Sequence, residues 1–508
     1  MARDSTTTGG ASATGWRTSI RGSAAGITAG LIGWLFLVEI TSGVLQGYYV
    51  PLIPDLVEHL GIHDADFNWF EAAQLLLSAL VVPILAKLGD MFGHKRVLLV
   101  STVLTAGASW WLVVAGDFWS FLAAWALQGF YVVWLPLEVA LIFERGRRTG
   151  RAASQTRRAA GLLVVALEAG AILGALAGGR VFAAFGDAVG PTLMIPAIAV
   201  TLVFFVVLFG VPESSPQPGR SLDLAGFSIL TAGLLLITSG LTFLRINGPE
   251  TWWVWALIVV GALVFVPFVH FERRQSDPAI DMRVLAQPSM WPVQLTAALI
   301  GISLLGAQAP LSTFAGTDPV NGYGLGLAAS DISNLIGAYL VSMIVGAILF
   351  PIVSTWATPR VALIGGAFLV ALGYLLFLPF HDSAPQVVLN MVVAGLGSGA
   401  LVGALPSAAA AAAPRGQTGV AAALTNTTKT IGGSFASAVF GVVLFAGASS
   451  ITATASSLLG YMQVWAICGL GALAAAILLF FVPRLAFADP VAPEEGPTEL
   501  GSASNQPR

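Results

Sequence analysis

The chain has 508 residues, 56% of them hydrophobic and 10% charged, with a formal net charge of −3 and a mean hydropathy of +0.84. A soluble globular chain carries about 25% charged residues, so this composition excludes an ordinary soluble domain and identifies a polytopic membrane protein. One cysteine, Cys468, excludes an internal disulfide and a cysteine-based metal site.

Residues 1–25 are rich in Ser, Thr, Gly and Ala and carry Arg17 and Arg21. They lack the compact apolar core and cleavage site of a signal peptide and read as a disordered cytoplasmic tail, as do residues 485–508. Between the tails lie fourteen apolar runs, each near the roughly 20 residues that a spanning helix needs. They centre near Glu39, Leu77, Thr105, Phe130, Ala171 and Thr201, then Leu234 and Gly261, then Ile302, Val341, Phe368, Val393, Gly432 and Leu473. With both termini cytoplasmic, all of the 23 Lys and Arg fall in the tails or at cytoplasmic ends except Arg180, Arg245 and Lys429. That is the asymmetry expected of cytoplasmic loops, and the loop from Arg145 to Arg158 contributes most.

Ionisable side chains in hydrocarbon are costly, so each is a functional candidate. Glu39 lies near the centre of the first run. Ser42, Gly43, Gln46 and Tyr49 follow at helical spacing, a polar stripe suited to a water-filled cavity. Between the second and third runs, Ala86 to Arg96 reads AKLGDMFGHKR. Gly89 and Gly93 suit a tight interhelical loop. Asp90, beside Lys95 and Arg96, can pair with a cation or with a helix N-terminus.

The fourth run places Tyr131, Trp134 and Glu138 on one face, with Gln128 at its edge, as candidates for a substrate cavity. Glu138 lies nearer the cytoplasm, where snorkelling or pairing with the loop competes with function. The fifth run reads GLLVVALEAGAILGALAGG. Gly170, Gly174 and Gly178 form a flat stripe that lets another helix approach closely. Glu168 sits near the midplane and points roughly 120° from that stripe. It can take up and release a proton, bind a cationic group, or make a structural hydrogen bond. Residues 212–284 open with PESSPQPGR, a linker by composition, and continue into two further runs. In the thirteenth run Lys429, with Asn426 on its face, is the cation at depth; it contacts an anionic substrate group or balances a carboxylate. Trp34, Trp125 and Trp134 fall inside runs and serve packing or a bulky apolar ligand.

An internal repeat divides the rest. Gly129, Pro136, Arg145 and Gly161 recur in order as Gly399, Pro406, Arg415 and Gly419, with equal Gly-to-Pro and Pro-to-Arg separations. Glu168 and Gly174 correspond likewise to Asn426 and Gly432, and Pro83 to Arg96 resembles Pro351 to Arg360 with four residues deleted. The set argues for two related six-helix bundles, residues 26–211 and 285–484.

The Ala86 to Arg96 loop, through Leu88, Gly89, Asp90, Gly93 and Lys95, resembles the loop G-x-L-A-D-R-x-G-R-K of the major facilitator superfamily. Gly161, Gly170, Gly174, Gly178 and Gly179 match that family's antiporter motif, G-x8-G-x3-G-P-x2-G-G. Two runs inserted between six-run halves, with the stretch from Gly395 to Gly441, resemble its fourteen-span drug:proton antiporter branch. The chain departs from the family at Ala175, where Pro is usual, at Trp125, three residues before Gln128-Gly129, where Arg is usual, and at Lys429, where Arg is usual. The family's usual first-helix Asp position is Leu45, so Glu39 rests on position and chemistry alone.

The resemblance implies an all-α polytopic fold with fourteen transmembrane helices: two pseudo-symmetric six-helix bundles plus two inserted helices. It implies secondary active export of amphipathic small molecules by proton antiport and alternating access. The expected parts are Glu39 and Glu168 for proton coupling, and Gln46, Gln128, Tyr131, Glu138, Asn426 and Lys429 for the substrate cavity. Gly89, Asp90, Gly93, Lys95 and Arg96 form the gating loop, and the five motif glycines pack helices. The expected partners are a small-molecule substrate and the lipid bilayer, with no nucleic acid, no metal and no cofactor beyond a proton gradient. The expected setting is a monomer in the plasma membrane. The alternative is a transporter or exchanger of a specific, anionic metabolite held by Lys429. No nucleotide loop, HExxH pair or serine elbow argues for an enzyme.

Overall fold

The computed structural model describes residues 29–148, 152–214, 222–275, 278, 280–413, 418–445 and 454–481. The tails 1–25 and 485–508 and the side chains of Arg147 to Arg158 lie outside the described residues. Fourteen segments are long and apolar enough to cross a membrane. They are α1 (Gly30–Leu60), α2 (Asp64–Phe92), α3 (His94–Val114), α4 (Phe118–Arg145), α5 (Gly161–Ala184), α6 (Val189–Gly210) and α7 (Leu224–Asn247). There follow α8 (Trp252–Glu272), α9 (Trp291–Gly316), α10 (Ala329–Trp356), α11 (Pro359–Leu376), α12 (Ala384–Ala412), α13 (Leu424–Phe445) and α14 (Leu458–Phe481). Among the described residues there is no strand. The ends at the start of α1 and the finish of α14 are called proximal and the opposite ends distal.

Each apolar run becomes a helix because a backbone in hydrocarbon must satisfy its own hydrogen bonds. Helices also overrun the apolar runs: α-helix continues to Arg148 and resumes at Ala152, where composition suggested a longer polar loop. Ala, Arg and Gln are good helix formers and carry the backbone past the apolar zone. Three breaks in α-geometry lie inside membrane segments. Val50–Leu52 and Gly129–Val133 are 3-10 turns, and Ile302–Gly306 is a π-helix. Helix α5 runs unbroken through Ala175, the position where the family motif has Pro.

The packing repeats between the halves. Helix α1 lies along α5, α2 against α4 and α3 against α6; α9 lies along α13, α10 against α12 and α11 against α14. Small residues set the closest approaches. A Cβ on Gly174 would stand 2.6 Å from the Val44 carbonyl oxygen, and one on Gly43 2.6 Å from the Ala171 nitrogen. Gly170 and Gly178 meet the backbone of Ile40 and Tyr48, while Gly432 meets Ala298 in the corresponding α13–α9 contact. Gly161 is different: nothing lies within 4 Å of where its Cβ would be. The motif's first glycine is exposed and makes no close helix approach here. The repeat extends to the helix ends. Lys95 Nζ donates to the Leu208 carbonyl at the end of α6 (2.8 Å), and Arg360 Nε donates to the Leu479 carbonyl at the end of α14 (3.0 Å). Both cations meet the negative end of a helix.

The two halves meet along two seams, α2 with α13 and α5 with α10. Helices α7 and α8 form an antiparallel pair that lies on the α2–α13 seam, where Leu230 and Leu234 join Leu76, Leu80, Ile431 and Phe435 in one apolar cluster. The connection to α9 contains a short helix, Met282–Leu285, whose N-cap Asp281 accepts from Arg283 N at 3.0 Å.

Candidate functional site

A cavity of about 300 Å³ lies where the halves meet, within the size range of small-molecule sites. Helix α1 presents Glu39, Ser42 and Gln46 to it, α4 presents Tyr131, and α5 presents Glu168. The other half contributes Ser303 and Gln308 of α9, Tyr339 of α10, Tyr374 of α11, and Asn426, Thr427, Lys429 and Thr430 of α13. Most of the remaining wall is Leu, Val, Met and Ala. An apolar wall with a few convergent polar groups buries an amphipathic molecule while fixing its polar end.

The carboxylates differ in setting. Glu39 is fully buried at the wall, and neither of its oxygens has a hydrogen-bond partner among the described residues. Glu168 is partly exposed and interacts electrostatically with Lys429 from the other half. Lys429 forms no ion pair within 4 Å with a described carboxylate. A charge that a neighbour does not neutralise in a low-dielectric cavity exerts a strong field on whatever enters.

Six side chains had been expected in the substrate cavity. Gln46, Tyr131, Asn426 and Lys429 line it; Gln128 and Glu138 are set back from it. Gln128 is fully buried and donates to Tyr49 Oη (2.8 Å) and Ser109 Oγ (3.0 Å), so it braces α4 against α1 and α3. Glu138 is also fully buried, interacts electrostatically with Glu39, and has no hydrogen-bond partner for either oxygen among the described residues. It therefore neither snorkels to the membrane edge nor faces the cavity. Trp125 and Trp134 are buried in packing; Trp125 stacks on Phe121 and meets Tyr49 and Phe67 edge-on.

Several polar groups escaped sequence reasoning. Glu71, buried in the third turn of α2, interacts electrostatically with Tyr131, as Glu39 does. An acid inside an apolar run was the available signal. The π-helix in α9 coincides with a donor from α11: Tyr374 Oη donates to the Ser303 carbonyl at 2.8 Å. Such insertions recur at functional sites, and no composition signal marked this one.

The gating loop is held by the segment that follows α6. Gly93 has φ +104°, a left-handed conformation that glycine adopts without strain. His94 Nε2 lies 3.4 Å from Asp90 Oδ1. The backbone of His94 donates to Ser214 Oγ (2.7 Å), that of Lys95 to Glu213 Oε1 (3.1 Å), and Arg96 Nε lies 3.6 Å from Glu213 Oε2. Glu213 and Ser214 belong to the segment read as a linker, and they hold this loop.

On the distal side the halves are hydrogen-bonded together. Ser312 Oγ donates to the Val50 carbonyl (2.6 Å), Gly179 N to Ser333 Oγ (3.1 Å) and Arg180 Nη2 to Asn334 Oδ1 (2.7 Å). Asp64 N donates to the Thr454 carbonyl (3.0 Å), and Asp64 Oδ2 accepts from Ser456 N (3.2 Å) and Tyr461 Oη (3.4 Å). In the neighbouring turn, His63 Nδ1 accepts from Ala65 N at 3.0 Å, and burial pushes the His63 pKa below its usual 6.5.

Comparison with known proteins agrees with this architecture. The sequence model of the Major Facilitator Superfamily matches residues 35–437. The chain is 28% identical over 441 residues to a probable actinorhodin transporter of Streptomyces coelicolor, covering 83% of this chain and 72% of that protein. It is 29% identical over 452 residues to the cephamycin export protein CmcT of Amycolatopsis lactamdurans, covering 86% and 89%. It is 26% identical over 441 residues to the puromycin resistance protein pur8 of Streptomyces alboniger, covering 81% of each. Among solved structures, a peptide transporter POT bound to sulfate superposes with a TM-score of 0.63 at 15% identity, covering 90% of this chain and 95% of that one. The nucleoside transporter NupG gives 0.59 at 13%, covering 89% and 98%. With the family's pattern across most of its length and the fold shared with solved transporters, the chain belongs to the major facilitator superfamily: it is an integral multi-pass membrane transporter and not an enzyme.

Proposed function

We propose that this protein exports amphipathic small molecules across the plasma membrane by alternating access, with protons moving in the opposite direction. The observation that carries the reading is the cavity itself: apolar over most of its wall, placed between the halves, and holding Glu39 and Glu168 of one half and Lys429 of the other. Relatives named for actinorhodin transport, cephamycin export and puromycin resistance support export of bulky metabolites.

In this reading the protein is a monomer with both tails cytoplasmic. Residues 26–211 and 285–484 rock as two bundles, and residues 212–284 form an inserted hairpin. Gln46, Tyr131, Asn426 and Lys429 orient the substrate, and Glu39 and Glu168 carry the protons. Since the distal side is hydrogen-bonded shut, this is the state that loads from the cytoplasm. The Asp90 loop sets how far the proximal ends move, and the proton gradient is the only cofactor. A second reading, exchange of a specific anionic metabolite, is favoured by one observation: Lys429 stands on the cavity wall without a carboxylate in ion-pair contact.

The test is a resistance panel in an efflux-deficient host, with and without a protonophore. Protonophore-sensitive resistance to apolar or cationic compounds supports proton-driven export. Protection confined to anionic compounds favours the second reading, and no protection against any compound counts against export.

A further inference from the structure

We propose that the inserted hairpin, α7 with α8, is a distal latch whose working residue is Arg245. The inference rests on the alternating-access reading but concerns a part of the chain that the reading does not use. Arg245 lies in the last turn of α7. Its guanidinium pairs with Asp66 at the distal start of α2 and stands 4.7 Å from the centroid of the Phe445 ring at the distal end of α13. One side chain of the insertion thus holds both halves at the seam that must part when the distal side opens.

The two attachments are unequal. Toward the first half, polar bonds reach both ends of α2: the Arg245–Asp66 pair from the hairpin distally and, proximally, Lys87 Nζ donating at 3.0 Å to the carbonyl of Pro278 in the connection from α8 to α9. Toward the second half, the described contacts are the Phe445 ring and apolar packing, of Leu234 near Ile431 and Phe435 and of Leu241 near Ala438 and Val442. Apolar faces slide past one another in lipid without leaving a polar group unsatisfied, whereas the ion pair, mostly shielded from solvent, is costly to break. The hairpin therefore travels with α2, and the Arg245–Phe445 contact is the one released in each cycle. A cation over an aromatic face is attracted by the ring's quadrupole, enough to bias an equilibrium without freezing it. The α5–α10 seam has no comparable cover among the described residues, so the latch acts on one side only.

The test reads the seam directly, without substrate or gradient. Spin labels at Trp119 and Leu459, both exposed near distal helix ends of opposite halves, report the distal separation in a Cys468→Ala background. Phe445→Leu keeps apolar bulk but removes the ring face, and is expected to raise the open-to-closed ratio about tenfold. Arg245→Gln is expected to do at least as much, and the double variant less than the two single effects combined, because Phe445 also meets the His63 ring of the first half edge-on. Val260→Ala, on the lipid-facing side of α8, is expected to leave the distances unchanged. Unchanged distance distributions in Phe445→Leu and Arg245→Gln, or additive effects in the double variant, overturn the latch. Because the distances do not depend on any transported compound, that failure is distinct from a failure of the export reading.

Discussion

Glu168 of α5 and Lys429 of α13 face the same cavity from opposite halves and interact electrostatically across it. Neither charge is cancelled by a contact ion pair, so a proton, a cation on a substrate or an anion on a substrate each changes how strongly the halves attract. Coupling of ion to substrate requires such a shared interaction, because a ligand shifts a conformational equilibrium only by its differential affinity for the two states.

The first prediction concerns that coupling. In proteoliposomes with an imposed pH gradient, Glu39→Gln or Glu168→Gln is expected to abolish uphill transport while substrate binding or downhill exchange persists. Glutamine keeps the size and hydrogen bonding but cannot release a proton. If both variants concentrate substrate as the parent does, neither carboxyl is the coupling site.

The gating loop gives a second prediction. Asp90→Asn is expected to leave expression near normal and to reduce transport strongly. Glu213→Ala removes acceptors for the backbone of Lys95 and Ser214. It is expected to cost about 0.5–1.5 kcal/mol of stability and to mimic the transport loss. Full transport in both variants would reduce the loop to a turn.

Glycine substitutions separate packing from mere resemblance. Gly174→Leu would drive a side chain into the backbone of Val44. It is expected to lower thermal stability in detergent by at least the about 1–3 kcal/mol typical of overpacking. Gly161→Leu meets open space and is expected to be tolerated, although both glycines belong to one motif. Equal melting temperatures for the two variants would contradict the α1–α5 contact.

His63 supplies a pH prediction. Its pKa is lowered from 6.5 by burial, so between the lowered value and 6.5 the unfolded chain binds more protons at this site than the folded one. Its contribution to stability is then fully present above pH 6.5 and is lost as pH falls through the lowered pKa. Melting scans from pH 7 to pH 5 are expected to show a decline that His63→Asn flattens; parallel pH profiles for parent and variant would exclude the site.

Topology is open to a simple check. A reporter fused after Arg274 is expected to read as cytoplasmic, and one placed between Asn321 and Ser330 as external. The reverse result would invert the chain and with it the direction of export proposed here.

Much of this was legible in the chain itself. Hydrophobic run length determined fourteen helices, since a backbone in lipid has few other ways to satisfy its polar groups. The spacing of Gly170, Gly174 and Gly178 marked a contact face on α5, and recurring Gly, Pro and Arg positions pointed to the repeat seen in the matching helix pairs of the two halves. Tertiary structure alone decided which polar side chains share the cavity. Gln128 and Glu138 lie on the same helix as Tyr131, yet they are turned into the first half, where Tyr49 and Ser109 hold Gln128. It also decided that Glu213 grips the α2–α3 loop and that Arg245 spans a seam between halves. Periodicity places a residue on a face of its own helix. Which neighbour covers that face is set by contacts far apart in sequence, and no local pattern encodes them.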